Sequence, residues 1–176
     1  MPPSTSLPPP RAGFSLLELV AVVAILALLA GALVPALGQR MAGTRDARRL
    51  HDLHVLRDAI EQYRLDKGVW PAADPVGVAG GWDASYDGEF IPALTSEGYL
   101  AEPVHDPLDT QRYHYRYHVY NRGRYGCVGP DDFYVLGIRN FETAEFAAQH
   151  PGHFKCSGRD WGLEFAYVTG GGASAE

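Results

Sequence analysis

Gly13-Phe14-Ser15-Leu16-Leu17-Glu18 opens directly onto LVAVVAILALLAGALVPALG, residues 19–38, twenty consecutive residues without a charged or strongly polar side chain. A helix of that length, at about 1.5 Å per residue, covers roughly 30 Å, the hydrocarbon thickness of a bilayer. A purely cytosolic chain is therefore not the leading reading. Upstream, residues 1–13 contain five prolines and too few other side chains to build a core, so they read as a leader. A secretory signal has a shorter apolar stretch followed by an A-x-A cleavage site; here the stretch is longer and no clean A-x-A site follows it before Gln39-Arg40, so the run is expected to be retained.

Glu18 is the informative residue. An ionised carboxylate in a membrane helix costs about 2.5 to 3.5 kcal/mol at mid-bilayer, and less near an end. Two readings offset that cost. In the first, Glu18 sits at the headgroup level, favoured by the positive end of the helix dipole. In the second, a peptidase cuts after Gly13, Phe14 gains a free α-amino group, and Glu18 of an adjacent subunit neutralises it. That pairing would set the axial register of an assembly.

Downstream the chain is ordinary and acidic. Of 176 residues, 46% are hydrophobic and 20% charged, and residues 1–38 hold only Arg11 and Glu18, so the net charge of −6 belongs to the remainder. Such a surface argues against nucleic acid as a partner. From Gln39 to Asp66 no proline intervenes, and Leu50, Leu53, Leu56, Ile60 and Tyr63 mark one apolar stripe of a helix. Arg48 with Asp52 and Arg57 with Glu61 stand four apart and are expected to pair on its solvated side. Lys67, Gly68 and Pro71 stop the helix. A short helix is expected over Ile91–Glu97, and strands over Tyr113–Tyr120, Phe133–Arg139 and Leu163–Val168. The fold class that follows is α+β: a long N-terminal helix, half membrane-spanning and half amphipathic, packed on a small antiparallel sheet. Its divisions are a leader over 1–13, an apolar helix over 14–38, its amphipathic continuation over 39–68, a globular part over 69–169 and a flexible tail over 170–176.

Gly13-Phe14-Ser15-Leu16-Leu17-Glu18 with its apolar run resembles the processing motif of the type IV pilin superfamily, which includes the pseudopilins of type II secretion systems. Asp66-Lys67-Gly68-Val69-Trp70-Pro71, Gly98-Tyr99-Leu100 and Asp106-Pro107 ahead of Tyr113-His114-Tyr115 are similar to the layout of major pseudopilins. Ser15 stands where threonine is commoner, and residues 123–162 form a longer passage than that layout has. The resemblance implies cleavage after Gly13 by a prepilin peptidase, N-methylation of Phe14, and an assembly role for Glu18. Pro35 matches a proline late in the apolar helix, where local unwinding accompanies assembly. It further implies a non-enzymatic subunit anchored once in the inner membrane, with its globular part in the periplasm. Its partners would be its own copies and other pilins, the prepilin peptidase, an inner-membrane assembly platform and membrane lipid. The charge count points the other way, since Arg40, Arg45, Arg48 and Arg49 follow the helix and only Arg11 precedes it. The family orientation is preferred. A surface pilus subunit, or a single-pass anchor for an unrelated binding domain, are the alternatives.

Outside the cytoplasm, Cys127 and Cys156, the only cysteines, are expected to form one disulfide. His114 and His118 are too far apart on a strand, about 13 Å, to share an ion. Asp131, Asp132 and Asp160 lie near glycines and are the calcium candidates that the resemblance suggests, but they fit no calcium-loop pattern and read first as solvated acids. No cofactor is otherwise expected, and no catalytic motif is present in the sequence.

Overall fold

The structure, a computed structural model, describes residues 13, 15–74 and 81–173, with the side chains of residues 32–36 left aside. It divides into two compact units, residues 1–40 and 41–176. In the first, helix α1 (Leu16–Lys67) begins, and every residue from Ser15 to Gly31 is exposed; Leu16 and Leu17 are each 80% exposed.

The second unit contains the rest of α1 and a four-stranded antiparallel sheet. Its strands are β1 (Asp83–Ala84), β2 (Tyr115–Tyr120), β3 (Phe133–Ile138) and β6 (Tyr167–Gly171), in the order β1-β2-β3-β6. A small hairpin pairs β4 (Lys155–Cys156) with β5 (Arg159–Asp160). Two short helices, α2 (Pro92–Ser96) and α3 (Ala144–Gln149), sit in the connections.

Period two decides how the sheet is covered. On one face Tyr115, Tyr117, Tyr134, Leu136 and Ile138 meet Leu53, Leu56 and Ile60 of α1. On the other, Tyr120, Phe133 and Val135 meet Trp161, Phe154, Phe165 and the cysteines. β3 is therefore buried at all six positions and reads as a continuous apolar run. Gly137 lies on the second face, where a Cβ would stand 2.5 Å from the Phe165 ring. Gly68 ends α1 with φ +76° and donates its N–H to the Arg64 carbonyl at 2.9 Å, the C-cap expected from sequence.

Several expectations need correction. The final strand starts four residues later than the 163–168 reading, because Asp160 accepts the Gly162 N–H at 2.8 Å and starts a 3-10 turn over Trp161–Leu163, leaving Leu163 exposed. That strand reaches Gly171, so Gly170 and Gly171 are ladder residues opposite Val135 and Tyr134 and not tail. β2 starts at Tyr115 because the Tyr113 N–H is taken by Thr110 Oγ1. Arg57 pairs with Asp58 at 3.0 Å, while Glu61 accepts the Tyr134 hydroxyl at 3.0 Å. Arg48 does pair with Asp52, at 3.6 Å. Leu50 is only half-buried; the core-facing position in that turn belongs to Arg49.

Candidate functional site

The N-terminal element is built from its cap. Ser15 Oγ accepts the Leu17 N–H at 3.3 Å and the Ser15 carbonyl accepts the Leu19 N–H at 3.1 Å, so Ser15 is the residue on which α1 starts. Glu18 lies in the first turn, exposed, where the amide dipoles favour an anion. Gly13 is non-helical and exposed. Phe14 lies outside the described residues, as does the side chain of Pro35, whose backbone is helical. Beyond Glu18, the leucines, valines and isoleucine from Leu19 to Leu29 are all more than half exposed, on every side of the helix. A helix apolar all round is stable only where it is covered. Among the described residues no helix is long and apolar enough to cross a membrane.

Further along α1 lies a feature that residue-by-residue reading missed. Asp46 and Arg49 are fully buried. Arg49 forks onto Asp106 through Nε at 2.6 Å and Nη2 at 3.0 Å, and its Nη1 reaches Asp46 and Glu142, both at 2.7 Å. Arg45 forks onto Glu142 at 2.7 and 2.5 Å. Asp46 also accepts the backbone N–H groups of Glu142 and Thr143, both at 2.9 Å, and the Thr143 hydroxyl at 2.8 Å. Such satisfaction is what makes buried charges tolerable. Burial opposes the Arg49 charge, but the hydrogen bonds to Asp106 and Glu142 outweigh it and raise its pKa. The Arg45 hydrogen bond comes first among the causes that hold the Glu142 carboxyl down at about 2. The signal was present: the stripe Leu53, Leu56, Ile60 continued backward by four and seven lands on Arg49 and Asp46.

Two other buried groups titrate abnormally. Asp83 Oδ2 accepts the N–H groups of Asp74 and Ile91 at 2.9 and 3.1 Å, yet burial, aided by the charges of Asp74 and Asp87, pushes its carboxyl up to about 6. His114 hydrogen-bonds the Thr110 carbonyl through Nδ1, and its Nε2 accepts from Arg116 Nε at 2.9 Å. Burial, then the Arg116 cation, lowers it to about 4.

Cys127 and Cys156 form a disulfide, with Cα atoms 4.9 Å apart. Each of the three candidate calcium ligands has a partner within the fold. Asp131 pairs with Arg64 at 2.8 Å, Asp132 accepts the Arg122 N–H at 2.9 Å, and Asp160 caps the 3-10 turn. Among the described residues no three His, Cys, Asp or Glu side chains gather to hold a metal.

Residues 9–34 match the family described as the prokaryotic N-terminal methylation motif. A fimbrial protein of Eikenella corrodens is 33% identical over 79 residues, 45% of this chain and 50% of that protein. The type II secretion system core protein G of Vibrio cholerae is 36% identical over 64 residues, 36% of this chain and 44% of its own length. The core protein G of Escherichia coli is 27% identical over 128 residues, 68% of this chain and 81% of that protein. The chain thus spans half or less of the first relatives it matches, and no solved structure matches it. Motif, α+β fold and relatives agree: the chain is similar to pilins and pseudopilins, and its residues 9–34 match the prokaryotic N-terminal methylation motif.

Proposed function

We propose that the chain is a structural subunit which a prepilin peptidase cleaves after Gly13 and methylates on Phe14. It waits in the inner membrane with its globular part in the periplasm, and polymerises through its N-terminal helix into the pseudopilus of a type II secretion system. The observation that carries this reading is the exposed helix Leu16–Gly31, apolar on all sides except for Glu18 in its first turn. Bilayer lipid covers such a surface before assembly, and the helices of neighbouring copies and other pilins cover it afterwards, with an inner-membrane platform driving the transfer. The role is mechanical, and no step of it needs catalysis by this chain.

The arginines whose count opposes this orientation are engaged in the fold. Arg45, Arg48 and Arg49 are each ion-paired within the globular unit, with Glu142, Asp52 and the Asp46/Asp106 pair. A second reading, a subunit of a surface type IV pilus, is favoured by the fimbrial relative and by the disulfide near the carboxyl end.

Glu18→Ala separates assembly from anchoring. The variant should fractionate with membranes as the native chain does and be lost from sheared filaments at least tenfold. Incorporation at the native level would remove the assembly role of Glu18 and favour a simple anchor.

A further inference from the structure

Residues 141–150 are held to the globular unit in an unusual way. Helix α3 buries none of its residues. Its ring contacts are largely internal: Phe146 stacks on His150 at 4.1 Å and meets Phe141 edge-on at 5.1 Å. Phe141 alone packs against the main core, and only partly. What ties the segment down is charge. Asp46 holds the backbone of Glu142 and Thr143, and the Glu142 carboxylate is gripped by Arg45 and Arg49. The two ends are fixed separately. Asn140 Nδ2 donates to the Arg112 carbonyl at 2.7 Å, and Gly152 lies so close to β6 that a Cβ would stand 2.2 Å from the Val168 nitrogen.

We propose that residues 141–150 form a strap, latched by Glu142 on Arg45 and Arg49, that opens as a unit between fixed ends at Asn140 and Gly152 while the sheet and the α1 face stay folded. A segment secured by a few polar contacts and little apolar burial belongs to the low-stability end of a native structure. Opening it bares the Arg45 guanidinium and the Phe141 ring. The groups facing Glu142 are Arg45, Arg49 and Asp46, and the carboxyl, held at about 2, stays ionised through mild acid, so the latch is set by its partners rather than by ordinary pH.

The test is native-state amide exchange on the full chain in detergent micelles, and it does not depend on filament assembly. The reporters are the Ala147 and His150 amides, which bond to Thr143 and Phe146 carbonyls. Glu142→Gln and Arg45→Met should each speed these amides about tenfold or more, while amides of the β2–β3 ladder change less than twofold. The double variant should add nothing to Glu142→Gln, since Arg49 still holds Glu142 when Arg45 alone is replaced, and Arg45→Lys, which keeps charge but loses the fork, should fall between the native chain and Arg45→Met. Strap amides that stay unchanged, or ladder amides that accelerate equally, would overturn the proposal.

Discussion

Asp83 and His114 pull the pH dependence of stability in opposite directions. In the folded chain Asp83 titrates near 6 against 3.8 ordinarily, so between those values the native state binds more protons and Asp83 makes stability fall as pH rises. His114 titrates near 4 against 6.5, so the unfolded chain binds the extra proton and His114 makes stability rise with pH over 4 to 6.5. The two slopes offset one another between about pH 4 and 6. Asp83→Asn removes one of them, keeping an acceptor for the Asp74 and Ile91 amides. Stability of the variant relative to the native chain, from urea unfolding at several pH values, should climb through this window by up to about 1.4 kcal/mol per pH unit. A flat difference curve would show that Asp83 is not carrying a proton there. Neither group could be singled out from sequence, because burial sets both shifts and burial follows from tertiary packing. Arg49 and Asp46 were more accessible, since their spacing from Leu53 placed them on the core face; reading charge as solvated obscured it.

At the level of elements, α1 and β2 were legible because their patterns are long and unbroken, and β3 because a continuous apolar run stands between turn residues. The Gly68 cap and the α2 turn followed from local chemistry that tertiary contacts do not override. The last strand was displaced by a side-chain cap at Asp160 and by glycines at 170 and 171, which look like a tail until β3 is placed beside them. The disulfide closes the second core layer, joining the turn after β2 to the β4–β5 hairpin across 29 residues. Replacing both cysteines by serine should lower unfolding free energy by about 3 to 4 kcal/mol on the chain-entropy account. Far-ultraviolet dichroism at 25 °C should retain the helical signal of α1. A loss below about 1 kcal/mol would mean that Trp161, Phe154 and Phe133 hold that layer without the cross-link.

At the scale of the whole molecule, one chain carries two differently made surfaces. Among the described residues the second unit gathers apolar side chains into two buried clusters, and the first turns of α1 leave theirs open on every side. An apolar helix beginning at Ser15 with a carboxylate in its first turn has a use if a new terminus is made just ahead of it. The candidate site was legible in residues 13–18 because processing is a local chemical event. Its geometry was legible only from Ser15 onward, where the cap fixes the backbone. The fold-level account stands without processing; the functional account does not. Intact-mass and N-terminal fragment analysis of the chain purified from native membranes decides it. The account predicts a species lacking residues 1–13 and beginning with N-methylated Phe14, whereas a population that still begins at Met1, with Phe14 internal and unmodified, would contradict it.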